Sequence, residues 1–294
     1  MIDREHRTSG RATHRAMAAL AVLAAGALLW AERRRGLRRP PSRVREREGE
    51  RVVTNLVMAG LTAAVTHIAM EPVVAPLAER AGRRRAGLVQ WLPLPDLVRD
   101  AAAVLLLDYT LYWWHVAEHR LPFLYRFHQV HHADLALDST TALRFHFGEF
   151  LASVPWRAGQ VVLIGASPRA LRVWQRLTML SVLFHHSNVR LPLRVERALA
   201  RLVMTPRLHG IHHSMRREEQ DSNWSSGLTL WDRAHGTYRA NVAQEGLEIG
   251  VAAYREPAEV ALAPSLVMPL RPLPPMPDEP PRVEAGVPRE RLLP

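Results

Sequence analysis

Two uncharged apolar stretches near the start of the chain predict helices that enter a membrane. The first, residues 17–31, has 15 residues and is short for a bilayer span, whereas the second, residues 52–70, has 19 residues and is long enough to cross. The arginines before the first stretch also fit a signal peptide, but no convincing small-residue cleavage site follows it. We therefore expect the first stretch to be a retained anchor.

Three later apolar stretches, residues 97–114, 147–167 and 170–184, carry charged side chains and predict further helices. They are either buried helices of a soluble protein or membrane spans whose charged ends face a polar site, where intramembrane ionisable groups usually lie. The two stronger apolar stretches upstream favour the second interpretation. The sequence thus predicts an all-α, integral-membrane helical bundle with about four spans and, from the arginines and histidines described next, a cytoplasmic His-rich cap.

The distribution of arginine predicts the orientation in the membrane. All 39 basic residues are Arg, the formal net charge is +11, and nine arginines lie within residues 33–51. The positive-inside rule places this loop in the cytoplasm, so the segment after Trp114 also emerges there. The positive charge then reflects topology and contact with anionic lipids. We find no basic–aromatic groove typical of nucleic-acid binding and expect no nucleic-acid partner.

Composition shifts divide the chain into four parts. Residues 1–51 are the anchor and Arg-rich loop, residues 52–96 the second span and its loop, residues 97–240 a His-rich domain, and residues 241–294 a Pro-rich tail. Residues 254–294 contain 11 of the 22 prolines, so we expect an extended cytoplasmic tail there.

The chain has no Cys, which excludes disulfides, iron–sulfur clusters, thiolate-bound haem and a Cys nucleophile. Any metal site must therefore use His, carboxylate or backbone oxygen. Histidine is unusually concentrated, since 11 of the 15 lie between His115 and His213.

These histidines recur at metal-ligand spacing, as HVAEH from His115, HQVHH from His128, HHSN from His185 and HGIHH from His209. Positions i, i+3 and i+4 share one face of a helix, so we expect each HxxHH triad to converge on a single point. Thr205 and Pro206 fit the N-cap and first position of a short helix. Imidazole suits Fe, Zn, Cu and Ni, and nine or ten ligands indicate two metal ions.

Other metal-binding patterns fit less well. A carboxylate-bridged di-iron bundle needs Glu-x-x-His pairs, and the sequence has none. The segment His115-Val-Ala-Glu118-His119 matches the inverted zinc motif, with Glu118 as the general base. This motif leaves both triads unexplained, but it keeps a membrane zinc hydrolase as the alternative function.

Together, HxxxH and two HxxHH boxes, with DYTLYWWHVAEH, FHQVHHADLALDSTTALRFHFGE, TPRLHGIHHS and NWSSGLTLWDRAHGTY, resemble the integral-membrane sterol desaturase and fatty acid hydroxylase superfamily over about residues 97–240. The resemblance implies a non-haem di-iron centre at the cytoplasmic membrane face. There, molecular oxygen and two electrons hydroxylate or desaturate a membrane lipid, such as a sterol or a fatty acyl chain. The chain has no nucleotide-binding fingerprint, so an external reductase or ferredoxin-like donor is the implied redox partner.

Carried over by position, the resemblance implies a set of metal ligands. They are His115, His119, His128, His131, His132, His146, His186, His209, His212 and His213. The eight in the HxxxH and HxxHH boxes are the expected catalytic residues. His146 is followed by Phe147 where the family usually has Pro, and Glu118 also departs from the family pattern.

Asp108 is the remaining candidate. At helical spacing it shares a stripe with Tyr112, His115 and His119. An unpartnered carboxylate within a span costs about 2.5–3.5 kcal/mol, so a partner is expected. Either Arg99 or another helix supplies it, or a metal-bound His donates its free ring N–H to it. The family resemblance favours the second role, because an Asp one or two turns before the first histidine box is usual there.

Overall fold

The computed structural model describes residues 26–274, and within this range the protein is all-α, with isolated bridges but no β-strand. The predicted helical fold class is confirmed. Residues 26–34 are helical. The α-helices that follow are α1 Ser42–Arg45, α2 Glu48–Val65, α3 Glu71–Arg84, α4 Asp96–Arg120, α5 Pro122–His132, α6 Phe147–Ile164, α7 Pro168–His186, α8 Leu193–Leu199, α9 Pro206–His212, α10 Arg217–Gln220, α11 Leu230–Ala234 and α12 Leu262–Val267. A π-helical turn, Thr66–Met70, joins α2 to α3.

Of the described residues, one segment, Glu48–Gln90, is long and apolar enough to cross a membrane by length and composition. Its surface exposes large apolar side chains, including Val53, Leu56 and Ile68, which is 75% exposed. An exposed apolar face of this kind marks contact with a membrane or a partner. Most of the predicted anchor, residues 17–25, lies outside the described residues. The three later apolar stretches do form helices, namely α4, α6 and α7.

Helix α4 lies at the centre of the bundle and packs against α5, α6 and α7. Its buried side chains, Ala103, Leu107, Leu111 and Trp114, are spaced by three or four residues and therefore form one stripe. Burying each large side chain contributes about 1.5–3 kcal/mol relative to exposure. The stripe holds α4 in place, and with it the HxxxH box at its C-terminal end.

Helices α6 and α7 meet at a tight turn that lies against the loop between α3 and α4. Gly165 ends α6 in the left-handed region, with φ 78°, and Gly87 has φ 104°. A Cβ atom at Gly87 would lie 2.4 Å from Cα of Gly165, so a side chain there would clash with backbone. Ser167 then caps α7 by accepting from the backbone N–H of Ala170.

The expected extended tail is wrong for residues 257–270. This stretch forms two 3₁₀ turns around α12, and Val260 and Met268 pack into a core with Met58 and Val130. The prolines do not prevent this, because Pro257 lies in the first turn of its helical segment, where a missing N–H costs nothing. Residues 275–294 lie outside the described residues.

The buried guanidinium of Arg144 ties this C-terminal stretch to the rest of the fold. It donates to the carbonyl of Val130 at 2.9 Å and to the side chain of Asn55 at 3.0 Å. It also donates to the carbonyl of Val260 and to Oγ of Ser265, both at 2.7 Å. One side chain therefore joins α2, α5 and the C-terminal stretch beside the histidine boxes.

Candidate metal centre

Helices α4, α5, α7 and α9 bring nine histidines together in two buried groups. Within each group, one nitrogen from every ring lies within 4.8 Å of the others. Group one is His115, His119, His128, His132 and His212, and group two is His131, His186, His209 and His213. These nine are the expected ligands except His146.

The sequence analysis expected each HxxHH triad to converge on one point, but the structure divides each triad between the two groups. In α5, His128 and His132 join group one, whereas His131 joins group two. In α9 the split is reversed, since His212 joins group one and the other two histidines join group two. The reason is the angle between positions on a helix. At 100° per residue, i+4 lies about 40° to one side of i, whereas i+3 lies about 60° to the other side. Each triad therefore serves both groups.

In group two, ring nitrogens face one another without a proton to share. His131 and His186 donate their Nδ1 protons to the carbonyls of Arg144 and Val182, at 3.2 and 2.8 Å. A neutral imidazole carries one N–H, so both Nε2 atoms are acceptors, yet they lie 3.0 Å apart. Facing lone pairs at this distance call for a cation. The Nε2 pairs His186–His209 and His209–His213 are equally close, at 3.0 and 3.1 Å.

Group one shows the same need in another form. His115 and His212 direct Nδ1 at the carbonyls of Trp224 and Ser222, at 2.6 and 2.9 Å. The Nε2 atoms of four members are buried and have no hydrogen-bond partner. They are those of His119, His128, His132 and His212. Buried nitrogens without a partner cost free energy, which a bound metal ion would offset.

Electrostatics and spacing both fit metal ions. Burial lowers the pKa of His186 and of His212 to about 3, and it lowers the pKa of His131 and His213 well below the usual value. The rings are therefore neutral at pH 7, the form that binds metals. Metal–nitrogen bonds of about 2.1 Å at right angles separate the nitrogens by about 3.0 Å, which matches group two.

A pair of buried carboxyl groups adjoins group one. Nδ1 of His128 lies 3.3 Å from Oε2 of Glu149 and 3.7 Å from Oε2 of Glu118. Burial raises the pKa of Glu149 to about 8, and burial followed by Glu149 raises the pKa of Glu118 well above its usual range. The sequence analysis missed Glu149, although it lies three residues after His146 in RFHFGE. A protonated Glu118 is unsuited to act as a general base.

One predicted ligand, His146, and the neighbour of another, His185, lie outside the two groups. His146 is the N-cap of α6: its Nδ1 accepts from the backbone N–H of Gly148 at 3.0 Å, and its Nε2 lies 3.2 Å from the carbonyl of Leu266. Both ring nitrogens are thus engaged by backbone, which leaves none for a metal. His185 is buried, and its ring lies 4.0 Å from that of His209, but it belongs to neither group.

The expected contact between Asp108 and a ligand histidine is also absent from the described residues. Oδ2 of Asp108 accepts from the indole N–H of Trp231 at 2.7 Å and from the backbone N–H of Leu228 at 3.2 Å. The stripe that joins Asp108 to His115 on α4 is real, but His115 finds its acceptor in a backbone carbonyl. Asp108 instead holds the segment that follows α10.

Sequence comparison supports the same family. Residues 101–237, just under half of the chain, match the fatty acid hydroxylase family model, and this range contains all nine grouped histidines. The match and the relatives below support the sterol desaturase and fatty acid hydroxylase superfamily. The resemblance noted in the histidine boxes is therefore confirmed.

Individual relatives are similar over this same part. The chain is 29% identical over 166 residues to the ornithine lipid hydroxylase of Rhizobium tropici, covering 55% of this chain and 47% of the relative. It is 32% identical over 143 residues to a cholesterol 25-hydroxylase-like protein of Danio rerio, covering 47% and 54%. It is 27% identical over 139 residues to the alkylglycerol monooxygenase of Homo sapiens, covering 47% and 30%. The match thus spans about half the length of the first two relatives. No solved structure matches the chain.

Proposed function

We propose that the protein is a membrane lipid hydroxylase or desaturase whose two histidine groups each hold one non-haem iron ion. The observation that carries the proposal is the set of nine histidines, eight of them buried, whose metal-binding nitrogens face one another in two groups. The named activities of the relatives, which are hydroxylases and a monooxygenase of lipids, favour oxygen chemistry on a lipid.

The histidines would hold the iron ions and keep them electrophilic. Each imidazole is neutral, so an all-His shell adds no negative charge to the metal. Bound iron would supply the activation of molecular oxygen for attack on an unactivated C–H bond. Hydroxylation consumes one oxygen molecule, two electrons and two protons, inserting one oxygen atom into the C–H bond and releasing the other as water. The electrons come from an external donor protein.

The surrounding residues would fix each ligand rather than react. Carbonyls of Arg144, Val182, Ser222 and Trp224 accept the Nδ1 protons of their histidines, so Nε2 stays free for the metal. Burial of the groups excludes water, which strengthens electrostatic interactions within the site. An apolar lipid chain can reach such a site from the membrane without entering water.

We further propose that the site faces the cytoplasm. Arg38 and Arg51 belong to the Arg-rich loop, and both contact the histidine-box region. Arg38 donates to the carbonyl of Pro206 at 3.1 Å, at the start of α9, and Arg51 pairs with Asp134 at 3.0 Å, just after α5. The loop therefore lies at the same end of the bundle as the metal centre. The positive-inside rule assigns that end to the cytoplasm.

Metal analysis combined with lipid profiling tests the proposal. Purified protein should contain two iron ions per chain, and cells that express it should accumulate a lipid with one added oxygen or one lost pair of hydrogens. Product formation should stop without oxygen. A protein that purifies with zinc and turns over without oxygen would instead be the alternative membrane hydrolase.

A further inference from the structure

Two ligand rings of group one rest on the backbone of one short segment. The carbonyl of Trp224 accepts from Nδ1 of His115 at 2.6 Å, and the carbonyl of Ser222 accepts from Nδ1 of His212 at 2.9 Å. The two carbonyls belong to the residues on either side of Asn223. The backbone conformation of Asn223 and Trp224 therefore sets where the two acceptors lie relative to each other.

Asn223 adopts a left-handed backbone conformation, with φ 54°, and is fully buried. Asn tolerates this region better than most residues because its short amide can bond to nearby backbone. Here the amide N–H groups donate to the carbonyls of Leu208 at 3.0 Å and Arg239 at 2.7 Å. The amide oxygen accepts from the backbone N–H of Arg239 at 2.9 Å. The side chain thus fastens the segment to α9 and to residue 239 at once.

Asp232, on α11, fastens the other side of the same segment. Oδ1 accepts from the backbone N–H of Trp224 at 2.9 Å and from Oγ1 of Thr237 at 2.7 Å. Oδ2 accepts from the backbone N–H of Ser225 at 3.1 Å. The carboxylate is fully buried, and these bonds fix the peptide plane that follows residue 223. The carbonyl that faces His115 lies within that fixed stretch.

The position of these carbonyls decides which ring nitrogen can bind a metal. A neutral imidazole has one proton, and a carbonyl at Nδ1 keeps the proton there and leaves the Nε2 lone pair free. In group two, the rings of His131 and His186 donate instead to the carbonyls of Arg144 and Val182, which lie outside this segment. A disturbance of residues 222–225 should therefore affect one group and spare the other.

We propose that Asn223 and Asp232 are positioning residues that hold His115 and His212 in the tautomer and orientation required by the metal ion of group one, and that neither touches the metal itself. The inference rests on the proposed two-metal centre. It assigns residues 222–232 a role in binding the ion of group one rather than in the general stability of the fold.

Cobalt(II) titration of the metal-free, detergent-solubilised protein tests this role, with visible absorption and equilibrium dialysis as readouts. Wild type should bind two equivalents. In Asp232→Asn the side-chain NH2 group takes the place of the oxygen that accepts from the N–H of Ser225, so this hydrogen bond is lost. One of the two cobalt equivalents should then bind roughly 10–100-fold more weakly, and the other should bind as in wild type. The matched control is Thr229→Val, since Thr229 is fully buried in the same segment but its hydroxyl donates to the carbonyl of Ala200, away from both histidine groups. It should bind two equivalents as wild type does.

Double variants identify the affected ion. Asp232→Asn combined with His212→Ala should lose no more cobalt than His212→Ala alone, whereas its combination with His131→Ala should lose both ions. Should Asp232→Asn fail to fold, Asn223→Gly offers a second test, because Gly keeps the left-handed backbone and removes only the side-chain bonds. Equal weakening of both ions in a folded variant, or two tight ions, overturns the positioning role. A wild-type protein that binds no metal instead overturns the proposed function.

Discussion

Oε2 of Glu149 lies 3.3 Å from Nδ1 of His128, the ring whose Nε2 is a buried, unpartnered nitrogen of group one. This is the carboxylate–histidine arrangement that orients metal ligands in many proteins. The sequence analysis expected Asp108 to provide it. The structure assigns it to a different helix, α6.

The contact predicts that Glu149→Gln weakens the binding of the metal ion in group one. A metal ion bound to His128 would favour the ionised carboxylate of Glu149, and the neutral amide is a poorer acceptor for the Nδ1 proton. Metal affinity should therefore fall roughly 10–100-fold with the fold retained. Equilibrium dialysis against a chelator measures the change. Glu219→Gln is the matched control, because Glu219 is equally buried but accepts from Oγ of Ser214, outside both groups. Equal effects of the two variants would contradict the prediction.

The split of the triads predicts that single histidine variants remove different ions. His212→Ala should deplete the ion of group one and His131→Ala the ion of group two, and each should abolish product formation. Iron content per chain, measured by mass spectrometry of the metal, should fall by about one ion in each case. His235→Ala, at an exposed ring outside both groups, should keep both ions and full activity. Full activity in either triad variant would refute the two-metal proposal.

Oxygen and Glu118 separate the proposed oxygenase from the alternative hydrolase. Turnover should stop under anaerobic conditions and when the electron donor is removed. Glu118→Gln should retain much of the activity, because burial keeps Glu118 protonated and Gln still offers a donor to Glu149. A zinc hydrolase would lose nearly all activity in this variant, since its general base is removed. Oxygen-independent turnover that requires Glu118 would support the hydrolase.

Acid should destabilise the metal-free protein. Burial lowers the pKa of the grouped histidines in the folded state, whereas the unfolded chain titrates near 6.5. Below about pH 6.5 the unfolded state therefore binds more protons, so the free energy of unfolding falls as pH falls. The thermal midpoint should drop between pH 7.5 and 5.5, and bound metal should be released over the same range. A midpoint that rises on acidification would contradict this.

The folded C-terminal stretch gives a stability prediction with a close internal control. Met268 is fully buried against Met58 and Val130, whereas Leu270, two residues later, is 82% exposed. Met268→Ala should lower the free energy of unfolding by about 2–5 kcal/mol. Leu270→Ala should change it by less than about 0.5 kcal/mol. Chemical denaturation in detergent measures both.

The sequence predicted the helices and the grouped histidines because both depend on local spacing. An apolar stretch marked α4, and the histidine boxes together with the family resemblance marked the nine histidines of the two groups. It did not predict which triad member joins which group, because that depends on how α5 and α9 face each other. It also placed His146 among the ligands, although a residue before a helix can be its N-cap instead. Asp108 was assigned by its stripe on α4, yet its partners come from a segment about 120 residues later.

The sharing of α5 and α9 between both histidine groups has a mechanical consequence. The separation of the two groups is set by the pitch of two helices, so no bridging side chain is needed to keep them apart. Sliding either helix along its axis would shift ligand nitrogens of both groups together, and inserting one residue within a box would rotate the histidines that follow it by about 100°. The backbone geometry of these two helices would thus set the distance between the two ions.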